Sequence, residues 1–259
     1  MEQNIPVVIL CGGMGTRLRE ETEYKPKPMV EIGGKPVLWH IMKIHAHYGF
    51  RRFILCLGYK GSVIKDYFLN YEAMSNDFTL QLGQENSLIY HSNHTEQDFD
   101  VTLVDTGLKT MTGGRVKRIE RFIDTDTFMV TYGDGLANVD IGALVAFHCD
   151  HGKTATLTAT RPPSRYGILE LTTEDRVERF REKVQTERIN GGFLVFNRRV
   201  FDYLDSDCVL EREPMERLAA DGQLMAFRHE GFWIGMDTFR EYEMLNQMWD
   251  AGNAAWKIW

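Results

Sequence analysis

The sequence predicts an α/β fold in which a mostly parallel, mixed sheet is flanked by helices, organised as one domain over residues 1–259. Three observations carry this prediction. Short apolar, β-branched runs alternate with stretches of helical character as far as Gly152, the order that builds a parallel sheet with helices on both faces. The first of these runs passes directly into a glycine-rich turn, Gly12-Gly13-Met14-Gly15. Beyond Ala155 strand signals crowd together, so the sheet is expected to become mixed there.

In chain order, Pro6–Leu10 reads as a short buried strand. Pro36 suits the first position of a helix that Val37–His47 continues up to Gly49. Arg52–Leu57 is a second strand stopped by Gly58, and Ser62 can cap a short amphipathic helix, Val63–Asn70. The polar segment 77–100 has room for a hairpin, Thr79–Leu82 with Leu88–His91, expected to project toward a neighbouring subunit. Val101–Val104 and Phe128–Tyr132 are strands on either side of a helix, Val116–Phe122. Asp140–His151 is a helix, and Gly152-Lys153-Thr154 reads as its C-cap leading into a strand. The strands Ala155–Thr160, Ile168–Leu171, Val177–Arg181 and Gly192–Phe196 follow. Thr238-Phe239-Arg240-Glu241 fits a capping box opening the last helix. The tail Trp249–Trp259 holds three tryptophans, which can close the core or form a subunit contact.

Composition removes several classes of function. A chain of 259 residues that is 43% hydrophobic can bury a core of its own. A formal charge of −7 argues against bulk nucleic-acid binding, so any anion site must be local and built from a few cations. Met1-Glu2-Gln3-Asn4 offers no basic and apolar leader, and no apolar run approaches the roughly 20 residues of a membrane helix. Cys11, Cys56, Cys149 and Cys208 are scattered without a C-x-x-C pair. They read as free thiols, and the expected location is the cytoplasm.

The chemistry centres on the first turn. Glycines at 12, 13 and 15 let the backbone bend and bring its N–H groups close to an anion. Thr16 adds a hydroxyl, Arg17 a forked cation, and Lys27 stands between Pro26 and Pro28, which stiffen its presentation. The Walker pattern is excluded, because Phe147 stands where the Gly152-Lys153-Thr154 triplet would need its first glycine. The dinucleotide fingerprint fails as well, since the count from Gly13 ends on Leu18. Asp134, in Tyr132-Gly133-Asp134-Gly135, falls at a strand's carboxyl end, where ligands bind in open α/β sheets. Asp237 sits just before a helix, and two carboxylates meeting across a cleft would suit Mg²⁺. A turn and a helix N-terminus account for the same two acids without chemistry. The pairs His91/His94 and His148/His151 lack an evident third partner for zinc.

Leu10–Leu18 with Lys25-Pro26-Lys27-Pro28-Met29 resembles the signature of the sugar-1-phosphate nucleotidyltransferases, and further matches extend along nearly the whole chain. The run Met111–Arg118 is similar to that of the cytidylyltransferase branch. The resemblance implies a Rossmann-like nucleotidyltransferase fold, a homo-oligomer, and CTP and glucose 1-phosphate as substrates, with Mg²⁺ held by Asp134 and Asp237. It assigns the nucleotide to Leu10, Gly12, Gly13, Gly15, Thr16, Arg17, Lys27 and Gly133. Thr112 and Arg115 would read cytosine, one as acceptor and the other as donor, from a loop ahead of a helix. The sugar phosphate would meet Tyr166, Gly167, Glu182, Lys183, Asn190 and Gly192. Val184 stands where the family usually has proline. Arg17, Lys27, Asp134, Lys183 and Asp237 would carry catalysis. Another nucleotide or sugar phosphate, or a catalytically silent nucleotide-binding subunit, are the alternatives on the same fold.

Overall fold

The computed structural model describes residues 4–15, 18–83, 88–161, 168–181 and 187–259. Val7–Leu10 (β1) lies inside a seven-stranded sheet, and all four of its residues are buried. Val7 and Ile9 enter one hydrophobic cluster, Val8 and Leu10 the other. Successive side chains of a strand point to opposite faces, and here both faces are covered. The run is therefore apolar throughout rather than alternating.

The remaining sheet strands are Arg52–Leu57 (β2), Asp100–Asp105 (β3), Thr127–Tyr132 (β4), Ala155–Thr160 (β5), Ile189–Asn197 (β6) and Leu224–Arg228 (β7). Their spatial order is β7-β5-β6-β4-β1-β2-β3. Every neighbouring pair is parallel except those made by β6, which runs against β4 and β5. The expected mostly parallel sheet that turns mixed in its later part is thus present. Leu10 pairs with both Cys56 and Tyr132, so the carboxyl ends of β1, β2 and β4 open at one edge.

Val37–His47 (α1), Ile141–His151 (α2) and Phe239–Asp250 (α3) pack on the face holding Val7 and Ile9. The opposite face carries Val116, Ile119, Met215 and Leu218. Gly152 closes α2 in the left-handed conformation and β5 follows at Ala155, as read from the sequence. The capping box at Thr238 and Glu241 forms. Trp256 is fully buried and donates its indole N–H to His40 Nδ1 at 3.4 Å, while the Trp249 ring lies 4.8 Å from His40. The tryptophan tail closes the core onto α1.

Several elements differ from expectation. The helix placed at Val116–Phe122 begins earlier, at Thr112, ends at Arg118, and is followed by a 3-10 turn, Glu120–Phe122. Met111 is its N-cap, so Thr112 and Arg115 lie within the helix and not in a loop ahead of it. Ser62 is not a cap: the helix Gly61–Leu69 starts one residue before it, after Lys60 in a left-handed conformation. The hairpin consists of Phe78–Leu80 and Leu88–Tyr90. The helix Glu213–Ala220 and strand β7 complete the sheet's far edge.

Candidate active site

A cavity of about 380 Å³ opens at the carboxyl ends of β1 and β4, within the range of small-molecule sites. It is lined by Leu10, Gly12, Gly13 and Gly15 of the glycine turn, by Lys27 and Pro28, by Thr112 and Arg115, and by Gly133, Asp134 and Asp237. Gly15 has φ +62°, a conformation that favours glycine. Gly133 N–H donates to Leu10 O at 3.1 Å, tying the two strand ends together.

A short ribbon brings the two acids side by side. Gly135–Ala137 pairs with Trp233–Gly235, with Gly135 opposite Gly235. Asp134 immediately precedes one strand of the ribbon and Asp237 follows the other by two residues. Met236 N–H donates to Asp134 O at 3.0 Å, and the Glu241 carboxylate accepts from the N–H of Asp237 at 2.8 Å. The capping box of α3 therefore also fixes the backbone of an acid. Lys27, in the 3-10 turn Lys27–Met29, places Nζ 2.5 Å from Asp134 Oδ2 and 2.8 Å from Asp237 Oδ1. Burial acts to lower the pKa of this ammonium. The charge and hydrogen bond of Asp134, with those of Asp237, outweigh it and hold the pKa above the ordinary lysine value.

Arg115 and Thr112 both border the cavity, and both are committed to partners within the protein. The Arg115 side chain is buried, and its guanidinium donates to Leu57 O (2.9 Å), Thr106 Oγ1 (2.8 Å), Gly12 O (3.1 Å) and Leu108 O (3.4 Å). It is a strut beneath the glycine turn. A Cβ at Gly12 would collide with the guanidinium, a second reason for glycine at that position. Thr112 is similarly committed. Its hydroxyl accepts from Leu210 N–H at 2.9 Å and donates to Glu211 Oε2 at 2.7 Å. The Tyr132 hydroxyl donates to the other oxygen of Glu211. The free acceptor and donor anticipated in this segment are thus both engaged within the protein.

A second recess of about 110 Å³ shares Tyr132, Asp134 and Asp237 and adds Asn190, Gly191, Gly192 and Trp233. The register between β5 and β6 shifts here, from Leu157 opposite Leu194 to Ala159 opposite Asn190. That bulge re-aims the strand toward the recess. Asn190 Oδ1 accepts from Gly192 N–H at 3.0 Å, and Trp233 Nε1–H donates to Gly191 O at 2.6 Å. Thr16, Arg17, Tyr166, Gly167, Glu182, Lys183 and Val184 lie outside the described residues.

Trp233 and Glu211 were not singled out from the sequence. Trp233 sits in the same glycine-flanked stretch as Asp237, which was the available signal. Glu211 carried none, since its partners are remote in sequence. Of the histidines, His91 meets Thr79 Oγ1, His94 meets Glu72, and His148 and His151 share Thr156 Oγ1. Among the described residues no group of three or more His, Cys, Asp and Glu side chains converges. Two carboxylates are a donor set suited to Mg²⁺, which completes its shell with water and substrate phosphates.

The chain is similar to known proteins along nearly its whole length. Residues 6–238 match the family described as nucleotidyl transferase. The chain is 50% identical over 256 residues to the glucose-1-phosphate cytidylyltransferase of Salmonella typhimurium, covering 97% of this chain and 98% of that one. It is 44% identical to the probable glucose-1-phosphate cytidylyltransferase of Bacillus subtilis, over 97% and 99% of the two chains. The crystal structure of HddC from Yersinia pseudotuberculosis superposes with a TM-score of 0.70 at 25% identity, over 95% of this chain and 99% of that one. The chain belongs to the nucleotidyl transferase family.

Proposed function

We propose that this chain transfers the cytidylyl group of CTP to α-D-glucose 1-phosphate, giving CDP-glucose and pyrophosphate. The observation that carries the reading is the convergence of Asp134, Lys27 and Asp237 in the cavity that the glycine turn borders. The sugar phosphate is already ionised at neutral pH and attacks the α-phosphorus in line, so no strong general base is needed. The obstacle is charge. Two unit charges of like sign at about 4 Å in a partly dry site repel by on the order of 4 kcal/mol. Positioning and neutralisation then supply most of the catalysis.

The backbone N–H groups of the Gly12–Gly15 turn cradle the triphosphate. Arg17 and Lys27 steady it and the leaving pyrophosphate, and Lys183 with Glu182 holds the attacking sugar phosphate. Mg²⁺, when bound, would be held by Asp134 and Asp237 and would neutralise phosphate charge. With Thr112 and Arg115 engaged internally, base selection falls to main-chain groups of residues 110–112 and of the turn, which border the same cavity. Trp233 walls the sugar's recess beside Asn190. The enzyme works in the cytoplasm as a homo-oligomer in this reading.

Incubating the protein with CTP, glucose 1-phosphate and Mg²⁺ tests the proposal. CDP-glucose, identified by mass, and pyrophosphate should accumulate in equal amounts. Nucleotide bound without any pyrophosphate would instead support the catalytically silent alternative.

A further inference from the structure

Each of the two carboxylates that would take a divalent cation has one oxygen held by the Lys27 ammonium. Asp134 and Asp237 come from segments 107 and 210 residues away from Lys27, and a single Nζ bridges them. The Lys27 side chain is only 12% exposed, while the two carboxylates are 32% and 34% exposed. Its backbone cannot withdraw. Pro26 and Pro28 flank it, Met29 N–H is bonded to Pro26 O, and Val30 N–H is bonded to Lys27 O. Only its side-chain torsions can move Nζ, and the glycine turn borders the same cavity.

From this arrangement we infer that Lys27 is an exchangeable counterion: it competes with free divalent cations for Asp134 and Asp237, and a triphosphate on the glycine turn draws it off, so that ion and nucleotide enter together. The inference rests on the metal reading proposed above. Its logic is electrostatic. A divalent ion arriving alone must displace the ammonium and leave a mostly buried cation without a partner, beside a new double charge, which is costly. A triphosphate offers that ammonium replacement oxygens at the moment it is released. The lysine thus keeps the two acids assembled in the meantime and imposes a joint entry on metal and nucleotide.

Mn²⁺ is the probe, with unbound ion counted by electron paramagnetic resonance in the nucleotide-free, full-length protein. Wild type should bind Mn²⁺ weakly, and Lys27→Met at least about tenfold more tightly, because the competing charge is gone. Adding Asp134→Asn to Lys27→Met should abolish that gain. Lys27→Gln serves as a second variant of different shape. Wild-type binding as tight as that of Lys27→Met, and lost on Asp134→Asn, would overturn the counterion role while leaving the metal reading intact. Tight binding by Lys27→Met that survives Asp134→Asn would overturn both. Wild type alone also decides the question: a micromolar Mn²⁺ site that depends on Asp134 in the absence of nucleotide contradicts the inference.

Discussion

Replacing Arg115 by lysine separates two roles for that residue. The charge is kept, but the fork is lost. The guanidinium makes hydrogen bonds to four acceptors on three chain segments, namely Gly12 O, Leu57 O, and Thr106 Oγ1 with Leu108 O. An ammonium at the place of one guanidinium nitrogen can serve two of them, as that nitrogen does for Leu57 O and Thr106 Oγ1. About two bonds of about 1 kcal/mol each are lost, or about 2 kcal/mol in all. For a chain of this length that corresponds to a fall of roughly 4 °C in Tm. Because the strut ends on Gly12 O, the turn itself should loosen, and the KM for nucleotide should rise for every nucleotide accepted. Urea denaturation and steady-state kinetics with CTP and UTP measure both effects. Unchanged stability together with a relaxed preference for CTP over UTP would refute the strut and restore Arg115 as the residue that reads the base.

Three other predictions check further parts of the proposed function and the fold. Asp134→Asn should lower turnover by about 10²–10³-fold or more while the protein stays folded by circular dichroism, since it removes one of the two carboxylates proposed to hold Mg²⁺; substantial residual activity would contradict that proposal. Lys183→Ala should raise the KM for sugar phosphate more than that for CTP, and equal increases would place Lys183 away from the sugar phosphate. Burial holds His40 and His45 near pKa 4, against 6.5 for a free imidazole. Between those values the unfolded chain binds more protons, so stability is greatest above pH about 6.5 and falls as pH drops toward 4, by up to about 3 kcal/mol for each histidine. Urea midpoints at several pH values, with imidazole titration followed by NMR, check this. Imidazoles titrating near 6.5 in the folded protein would contradict it.

The parts of the fold legible in the sequence are those whose cause is local. Pro6–Leu10 reads as a buried strand because covered faces demand an unbroken apolar run. The box at Thr238 and Glu241 is legible because its partners are three residues apart. Helix Thr112–Arg118 was read as starting late, because its first turn contains Gly113 and Gly114, poor helix formers that pack close against Cys208 and Ser206. The ribbon joining Gly135–Ala137 to Trp233–Gly235 was hidden for a similar reason, since short glycine-bearing strands look like turns.

In the site, Lys27 could be named from the Lys25–Met29 signature, Asp134 from its place at a strand's carboxyl end, and Asp237 from the family resemblance, and the structure brings the three together. The internal bonds of Arg115 could not be read. Most of its acceptors are main-chain carbonyls, at Gly12, Leu57 and Leu108, and a carbonyl leaves no mark in a sequence. The engagement of Thr112 by Glu211, 99 positions away, is equally invisible before folding. Opposite charges between Lys27 and the two acids suggest attraction, but only the fold reveals that one ammonium spans both.

Pyrophosphate release measured across four nucleoside triphosphates and several sugar 1-phosphates, with Mg²⁺ present, tests the central claim most directly. The account predicts that the pair CTP and glucose 1-phosphate gives the highest kcat/KM. A higher value for another pair would contradict the substrate assignment while leaving the acid pair and its chemistry in place, and no pyrophosphate from any pair would contradict the transfer reaction itself.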